Sequence, residues 1–273
     1  VYTIRAADQG HKQFVAAVYR QILNDWQRVD QEKSIEIRGA LLKALLEKHI
    51  MLYFLDDALN DAVQVLGWLG EQKPALDTDY LLVADANLGN KANRSVQRQL
   101  TYDVIVEDDG SLSGSLAIAY DFSERVAELD PAVGPAHGDP NYRSLTQVFV
   151  PANSTLTRTE DLSGPPTVVH TDTHTAFVAR VGVDYNESER YQFFYTTPPL
   201  VEPFGSFYRY RLLVQKQPGT LSDPVNVQLR LPPGARTVYA DPSPAASYSL
   251  DQPVLEFHLS LTSDQAIEVV FTR

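Results

Sequence analysis

Proline splits this chain into two kinds of polypeptide. Of its 17 prolines only Pro74 lies before residue 131, and after Lys91 the only lysine is Lys216. Proline inside a helix removes a hydrogen bond and clashes with the preceding turn. A long proline-poor stretch therefore permits helices. The proline- and glycine-punctuated remainder favours short strands joined by turns.

Periodicity agrees. Phe14, Val15, Val18, Tyr19, Ile22, Trp26 and Val29 recur at spacings of three and four, which predicts an amphipathic helix over residues 11–29. Ile35, Ile37, Leu41, Leu42, Leu45 and Leu46 repeat the pattern over 34–48, with Ser34 as the expected N-cap. Residues 49–55 are an apolar run of strand length. Asp56 and Asp57 open a third helix that Gly67 or Gly70 ends. Residues 80–84 read as a buried strand. From about residue 96 the period becomes two: Tyr102, Val104 and Val106 alternate with polar residues. Asp108, Asp109 and Gly110 make a hairpin turn, and Leu112, Leu116, Ile118 and Tyr120 lie on the return strand. A proline-, glycine- and aspartate-rich loop spans 121–143, and further short strands follow to residue 271.

The expected fold class is α+β. A helix-rich α/β part, residues 1–95, packs against an antiparallel β-sandwich of the Ig-like type, residues 96–273. A separate small sheet from about residue 220 is the alternative to one continuous sandwich. The 273 residues, 44% hydrophobic and 21% charged, are ample for such a core. The net charge of −12 repels phosphate backbones, so nucleic acid is not an expected partner. With no cysteine there is no disulfide, thiolate metal site or thiol nucleophile. The abrupt start at Val1-Tyr2-Thr3-Ile4 reads like a strand under way, suggesting a fragment whose upstream part, with its membrane anchor, is missing.

Three places offer chemistry. In the polar segment 85–93, Asp85, Asn87, Asn90, Lys91 and Asn93 are ligand-loop candidates. Their oxygens suit calcium, while the same composition also makes an ordinary Asx-rich turn. Gly89, Asn90 and Lys91 lack the first glycine and the following helix of a phosphate loop. On a strand spanning 167–183, His170, Asp172 and His174 share one face, a set suited to zinc; a solvated strand face is the plainer reading. Lys216 falls on the apolar side of its strand. That invites an autocatalytic Lys–Asn cross-link, or a strand-end lysine that snorkels to water. No Gly-x-Ser-x-Gly elbow supports a serine nucleophile. The paired carboxylates Asp56-Asp57 and Asp108-Asp109 sit where backbone capping favours them. The aromatics of 190–210 fit a sandwich core or a binding face that stacks on sugars or protein.

Residues 47–70 (EKHIMLYFLDDALNDAVQVLGWLG), 79–104 (DYLLVADANLGNKANRSVQRQLTYDV), 148–156 (VFVPANSTL) and 210–219 (YRLLVQKQPG) resemble, in order and spacing, the C-terminal half of the bacterial domain-of-unknown-function family DUF4012. The resemblance implies a single-pass membrane parent with a large extracytoplasmic part and an upstream Asn/Gly-rich half. It implies no catalytic mechanism. It includes segment 85–93 but not the His170–His174 trio.

The expected function is thus a non-catalytic extracytoplasmic interaction or structural module of a bacterial envelope protein, with a protein or glycan partner, and membrane contact only through the missing anchor. The rivals are a glycan-binding module and a metal-assisted hydrolase of envelope polymers, using calcium or zinc, with Asp85, Asn87 and Asn93 pointing into a cleft between the two parts.

Overall fold

The computed structural model describes residues 10–89, 92–123, 141–249 and 251–273. The chain divides into two compact units, Val1–Leu69 and Gly70–Arg273. Among the described residues it is mostly β, with two mixed sheets and three α-helices.

In the first unit, α1 (Gly10–Trp26), α2 (Gln31–Leu46) and α3 (Asp57–Val65) follow the amphipathic pattern. Asp30, not Ser34, caps α2, its carboxylate accepting the Lys33 N–H at 2.9 Å. Asp56 caps α3, accepting the Leu59 N–H at 3.0 Å. Beyond α3, Gly67 turns the chain at φ +73°, a conformation glycine adopts without strain. Residues 49–55 form no strand. The Asn60 side chain takes up both backbone groups of Phe54, so this apolar run folds back on α3 instead of pairing.

The second unit contains fifteen strands among the described residues. They are β1 (Asp79–Asn87), β2 (Gln97–Val106), β3 (Leu112–Asp121), β4 (Tyr142–Pro151), β5 (Thr155–Glu160), β6 (Thr167–His170), β7 (His174–Val183), β8 (Ser188–Thr196), β9 (Glu202–Phe204), β10 (Phe207–Val214), β11 (Pro224–Arg230), β12 (Arg236–Asp241), β13 (Ala246–Ser249), β14 (Pro253–Ser260) and β15 (Gln265–Thr272). An eight-stranded sheet runs β12-β15-β10-β1-β4-β7-β6, with β9 added against β10. A seven-stranded sheet runs β13-β14-β11-β2-β3-β8-β5.

The sheets are not all antiparallel, which corrects the Ig-like expectation. β1 pairs parallel with β10, and β2 pairs parallel with β11. Turn signals reveal hairpins, whereas a parallel pair joins strands across a long connection and leaves no local mark. Each sheet therefore has two halves, one from residues 79–196 and one from 202–272, joined by a parallel pair. Residues beyond 220 build no separate sheet: β11, β13 and β14 extend one sheet, and β12 and β15 the other. The unit boundary falls after Leu69 rather than at 95, because β1 is a central strand of the larger sheet.

One hydrophobic core takes residues from both sheets, including Leu81 and Val83 of β1, Leu100 and Val104 of β2, Phe177 of β7, Phe193 of β8 and Val269 of β15. On β2 burial alternates: Arg98, Leu100, Tyr102, Val104 and Val106 face inward, while Gln97, Gln99 and Asp103 face out. The outer face of the larger sheet is covered near β1 by the segment before it. Ala75 packs there with Tyr80, Leu82, Phe149 and Leu213. The Ala75 N–H donates to the Thr173 carbonyl at 3.3 Å.

Candidate functional site

β1 sends two aspartates into the interior, six residues apart and on the same face. Asp85, the first ligand-loop candidate, is consumed there. Its Oδ2 accepts Arg98 Nη1 at 2.9 Å, and its Oδ1 accepts the hydroxyls of Tyr120 at 2.9 Å and Thr146 at 2.5 Å. Arg98, 6% exposed in its side chain, also donates Nη2 to Asp223 Oδ2 at 2.5 Å. Burial opposes the Arg98 charge, yet the Asp85 and Asp223 carboxylates outweigh it and hold the guanidinium pKa above its ordinary value. The Gln217 amide bonds both backbone groups of Asp85, each at 3.0 Å, continuing the ladder past the last β1–β10 pair.

Asn87 Oδ1 accepts the Gly89 N–H at 2.9 Å, an Asx turn, and Asn87 Nδ2 donates to Asn93 Oδ1 at 2.6 Å. Asn90 and Lys91 lie outside the described residues. The hydrolase reading asked for Asp85, Asn87 and Asn93 to point into a cleft. Instead, Asp85 points into the core and the two asparagines bond each other.

Asp79, missed in the sequence, is fully buried and has no cation bonded to it among the described residues. Its Oδ2 accepts Tyr210 Oη at 2.6 Å and Tyr102 Oη at 3.0 Å, and its Oδ1 accepts the Tyr80 N–H at 2.8 Å. Tyr195 Oη donates in turn to Tyr102 Oη at 2.8 Å. Burial raises the Asp79 pKa to about 6, against the lowering effect of the bonds from Tyr210, Tyr102 and the Tyr80 N–H.

The histidine trio does not share a strand face. Residues 167–183 break into a hairpin, β6 against β7, with Asp172 in the turn. The Thr171 hydroxyl bonds both the backbone N–H of His174, at 3.0 Å, and its carbonyl, at 3.1 Å, and so closes the turn. His170 is exposed, with Nδ1 3.1 Å from Thr175 Oγ1. His174 is buried, its ring 4.7 Å from that of Tyr80, and it donates Nε2–H to the Lys73 carbonyl at 2.9 Å. Burial lowers its pKa, opposed by that bond. No group of three His, Asp or Glu side chains suited to a metal occurs among the described residues.

Lys216 is fully buried. Its ammonium donates to the Thr220 carbonyl at 2.6 Å and the Gln217 carbonyl at 3.3 Å, stapling the loop after β10.

What remains open is the outer face of the seven-stranded sheet. A cavity of about 370 Å³ there is lined by Asp103, Ser113, Ser115, Phe194, Gln228 and Arg230, among others. Register explains it. Along β3 the outward positions are Ser113, Ser115, Ala117 and Ala119, all small. Neighbouring β2 places Ile105, Asp103, Thr101 and Gln99 beside them, and β8 places Thr196, Phe194, Gln192 and Arg190. Larger side chains thus flank a floor of hydroxyls and methyls. Gln228 is steadied from outside: its amide donates to Glu256 and Tyr248 Oη, each at 3.1 Å, and Tyr248 Oη donates to Glu256 at 2.8 Å. Nothing hydrogen-bonds the Asp103 carboxylate among the described residues. Partial burial raises its pKa, offset by Arg230 and Arg190. Of the aromatics of 190–210, Tyr191, Phe193, Tyr195 and Tyr210 are core, while Phe194 reaches this trough with the Arg158 guanidinium 3.9 Å over its ring.

No family model matches the chain, and no curated protein does. Among solved structures it is similar to a candidate nutrient binding protein from Legionella pneumophila, at 8% identity and TM-score 0.47, over 74% of this chain and 73% of that one. It is also similar to an M1 zinc metallopeptidase from Deinococcus radiodurans, at 11% identity and TM-score 0.36, over 64% of this chain and 42% of that one. For yeast LTA4 hydrolase the identity is 7% and the TM-score 0.38, over 67% and 29%. The chain thus spans under half of either enzyme. Likenesses this slight carry neither fold nor function across.

Proposed function

We propose that this chain is a non-catalytic, extracytoplasmic recognition module of a bacterial envelope protein, corresponding to the C-terminal half of the DUF4012 family. One observation carries the recognition part. The polar groups that offered chemistry in the sequence are spent on internal bonds: Asp85 on Arg98, Asn87 on Gly89 and Asn93, His174 on Lys73, and Lys216 on the loop 217–220. The outer face of the seven-stranded sheet keeps polar groups half-exposed and free to meet a partner. The envelope setting rests on the family resemblance.

Because the chain has no cysteine, a single introduced thiol reports its compartment. Leu221 is 69% exposed, so Leu221→Cys presents that thiol to solvent. In intact bacteria carrying the parent protein, with any cysteine outside this chain replaced by serine, a membrane-impermeant maleimide is expected to label Leu221→Cys without lysis. Labelling only after the cells are broken would overturn the extracytoplasmic assignment.

A further inference from the structure

The trough on the outer face of the seven-stranded sheet has a definite shape. Its lining comes from β11, β2, β3, β8 and β5, five adjacent strands, so it runs across the sheet for roughly 19 Å, at about 4.8 Å per strand spacing. Along the strands it is narrow, taking only Ser113 to Ser115 from β3, about 7 Å. That is an extended, open-ended groove, suited to a chain rather than a compact ligand.

Its chemistry narrows the occupant. Asp103 is an acceptor with no donor bonded to it among the described residues, half-sunk beside Ser113 and Ser115. Across β2, Gln228 lies level with Asp103, and Arg230 is the next outward residue on β11. Arg230 Nη2 reaches Gln228 Oε1 at 3.4 Å, at the outer limit of a hydrogen bond, which leaves the guanidinium fork largely uncommitted. Acceptor and donor therefore stand side by side, and the Gln228 amide between them is held before any ligand arrives by its bonds to Glu256 and Tyr248. Adjacent hydroxyls on a ring, each both donor and acceptor, satisfy such a pair; a main-chain amide offers its donor and acceptor singly and alternately. Around the trough the carboxylates of Asp103, Glu160 and Glu256 match the guanidiniums of Arg158, Arg190 and Arg230 in number, so neither a polyanion nor a polycation is favoured. Phe194 borders the trough with Arg158 stacked over its ring.

We infer that this trough binds a neutral oligosaccharide chain, with Asp103, Gln228 and Arg230 bonding vicinal sugar hydroxyls over the Ser113–Ser115 floor. The inference rests on the recognition-module reading and names its ligand class.

The test titrates the chain by calorimetry with cellotetraose, chitotetraose and maltotetraose, and assays each mixture for new reducing ends. At least one saccharide is expected to bind, with affinity falling at least about tenfold, some 1.4 kcal/mol, in Asp103→Ala and Arg230→Ala. Ser115→Trp, which fills the floor while keeping both polar groups, is expected to abolish binding. Asp172→Ala, far off on the β6–β7 turn, is expected to change nothing. No binding at millimolar concentration, binding indifferent to all three trough variants, or displacement of the saccharide's role by an extended uncharged peptide that binds in its place would overturn the oligosaccharide inference while leaving the recognition module standing. New reducing ends would instead overturn the non-catalytic reading and leave the site.

Discussion

Arg98 and Arg230 sit on neighbouring parallel strands of one sheet, yet they do opposite things. Arg98 points between the sheets, where Asp85 and Asp223 hold it and water does not reach. Arg230 points outward, half-exposed, its one hydrogen bond among the described residues a weak one to Gln228. A buried guanidinium must be fully paired, and once paired it is a structural part whose loss strands the charges around it. An outward one costs little to leave half-bonded, which makes it available to a ligand. The same lesson separates Asp85 and Asp79, spent on internal bonds, from Asp103, whose carboxylate accepts none among the described residues.

The strongest way to break this contrast is Arg98→Leu. It strands Asp85 and Asp223 in the interior, and about 3–5 kcal/mol of unfolding free energy is expected to disappear, read by urea denaturation.

Asp79→Asn sharpens it by pH. A carboxyl whose folded pKa of about 6 exceeds its ordinary 3.8 binds its proton more tightly when folded. The stability this gives is full below pH 3.8 and is lost as pH rises through about 6, a span of roughly 3 kcal/mol at most. The wild type is therefore expected to lose stability from this group between those limits, and Asp79→Asn to flatten that slope in urea midpoints taken across the range.

Gly114→Ala strikes the tyrosine relay on Asp79 indirectly. A Cβ there would lie 2.8 Å from Tyr195 Cζ, and the ring must shift away from Tyr102. A cost of about 1–3 kcal/mol is expected in the same assay. A smaller effect concerns segment 85–93. With Asp85 held by Arg98, calcium at millimolar concentration is expected to leave the thermal midpoint unmoved, whereas a site filled a hundredfold above its Kd would add about 2.7 kcal/mol.

Which parts of this were legible depends on distance along the chain. The Asp56 cap, the Gly67 helix end, the turn at Gly110 and the alternation of β2 and β3 are local, and residue type with spacing announces them. Ser34 was outcompeted by Asp30 because both precede the same apolar stripe and only geometry chooses between them. The apolar run 49–55 looked like a strand because hydrophobicity does not reveal whether a pairing partner exists. The trio His170, Asp172 and His174 alternates correctly, but a three-residue turn interrupts it, and Thr171 and Thr173 are weak turn signals. Asp79 carried no signal at all, since two of its partners, Tyr102 and Tyr210, stand 23 and 131 residues away. The trough was hidden for a related reason. Asp103 and Arg230 each read as solvated positions on a strand, and only the parallel β2–β11 register puts them together. The dense aromatics of 190–210 were the one available hint, through Phe194.

The most direct test sets the two arginines side by side. Urea unfolding of Arg98→Leu and Arg230→Ala, under identical conditions, is predicted to show a loss of about 3–5 kcal/mol for the first and a change within about 0.5 kcal/mol for the second. Comparable losses in both, or a silent Arg98→Leu, would contradict the division between a spent interior and an open outer face.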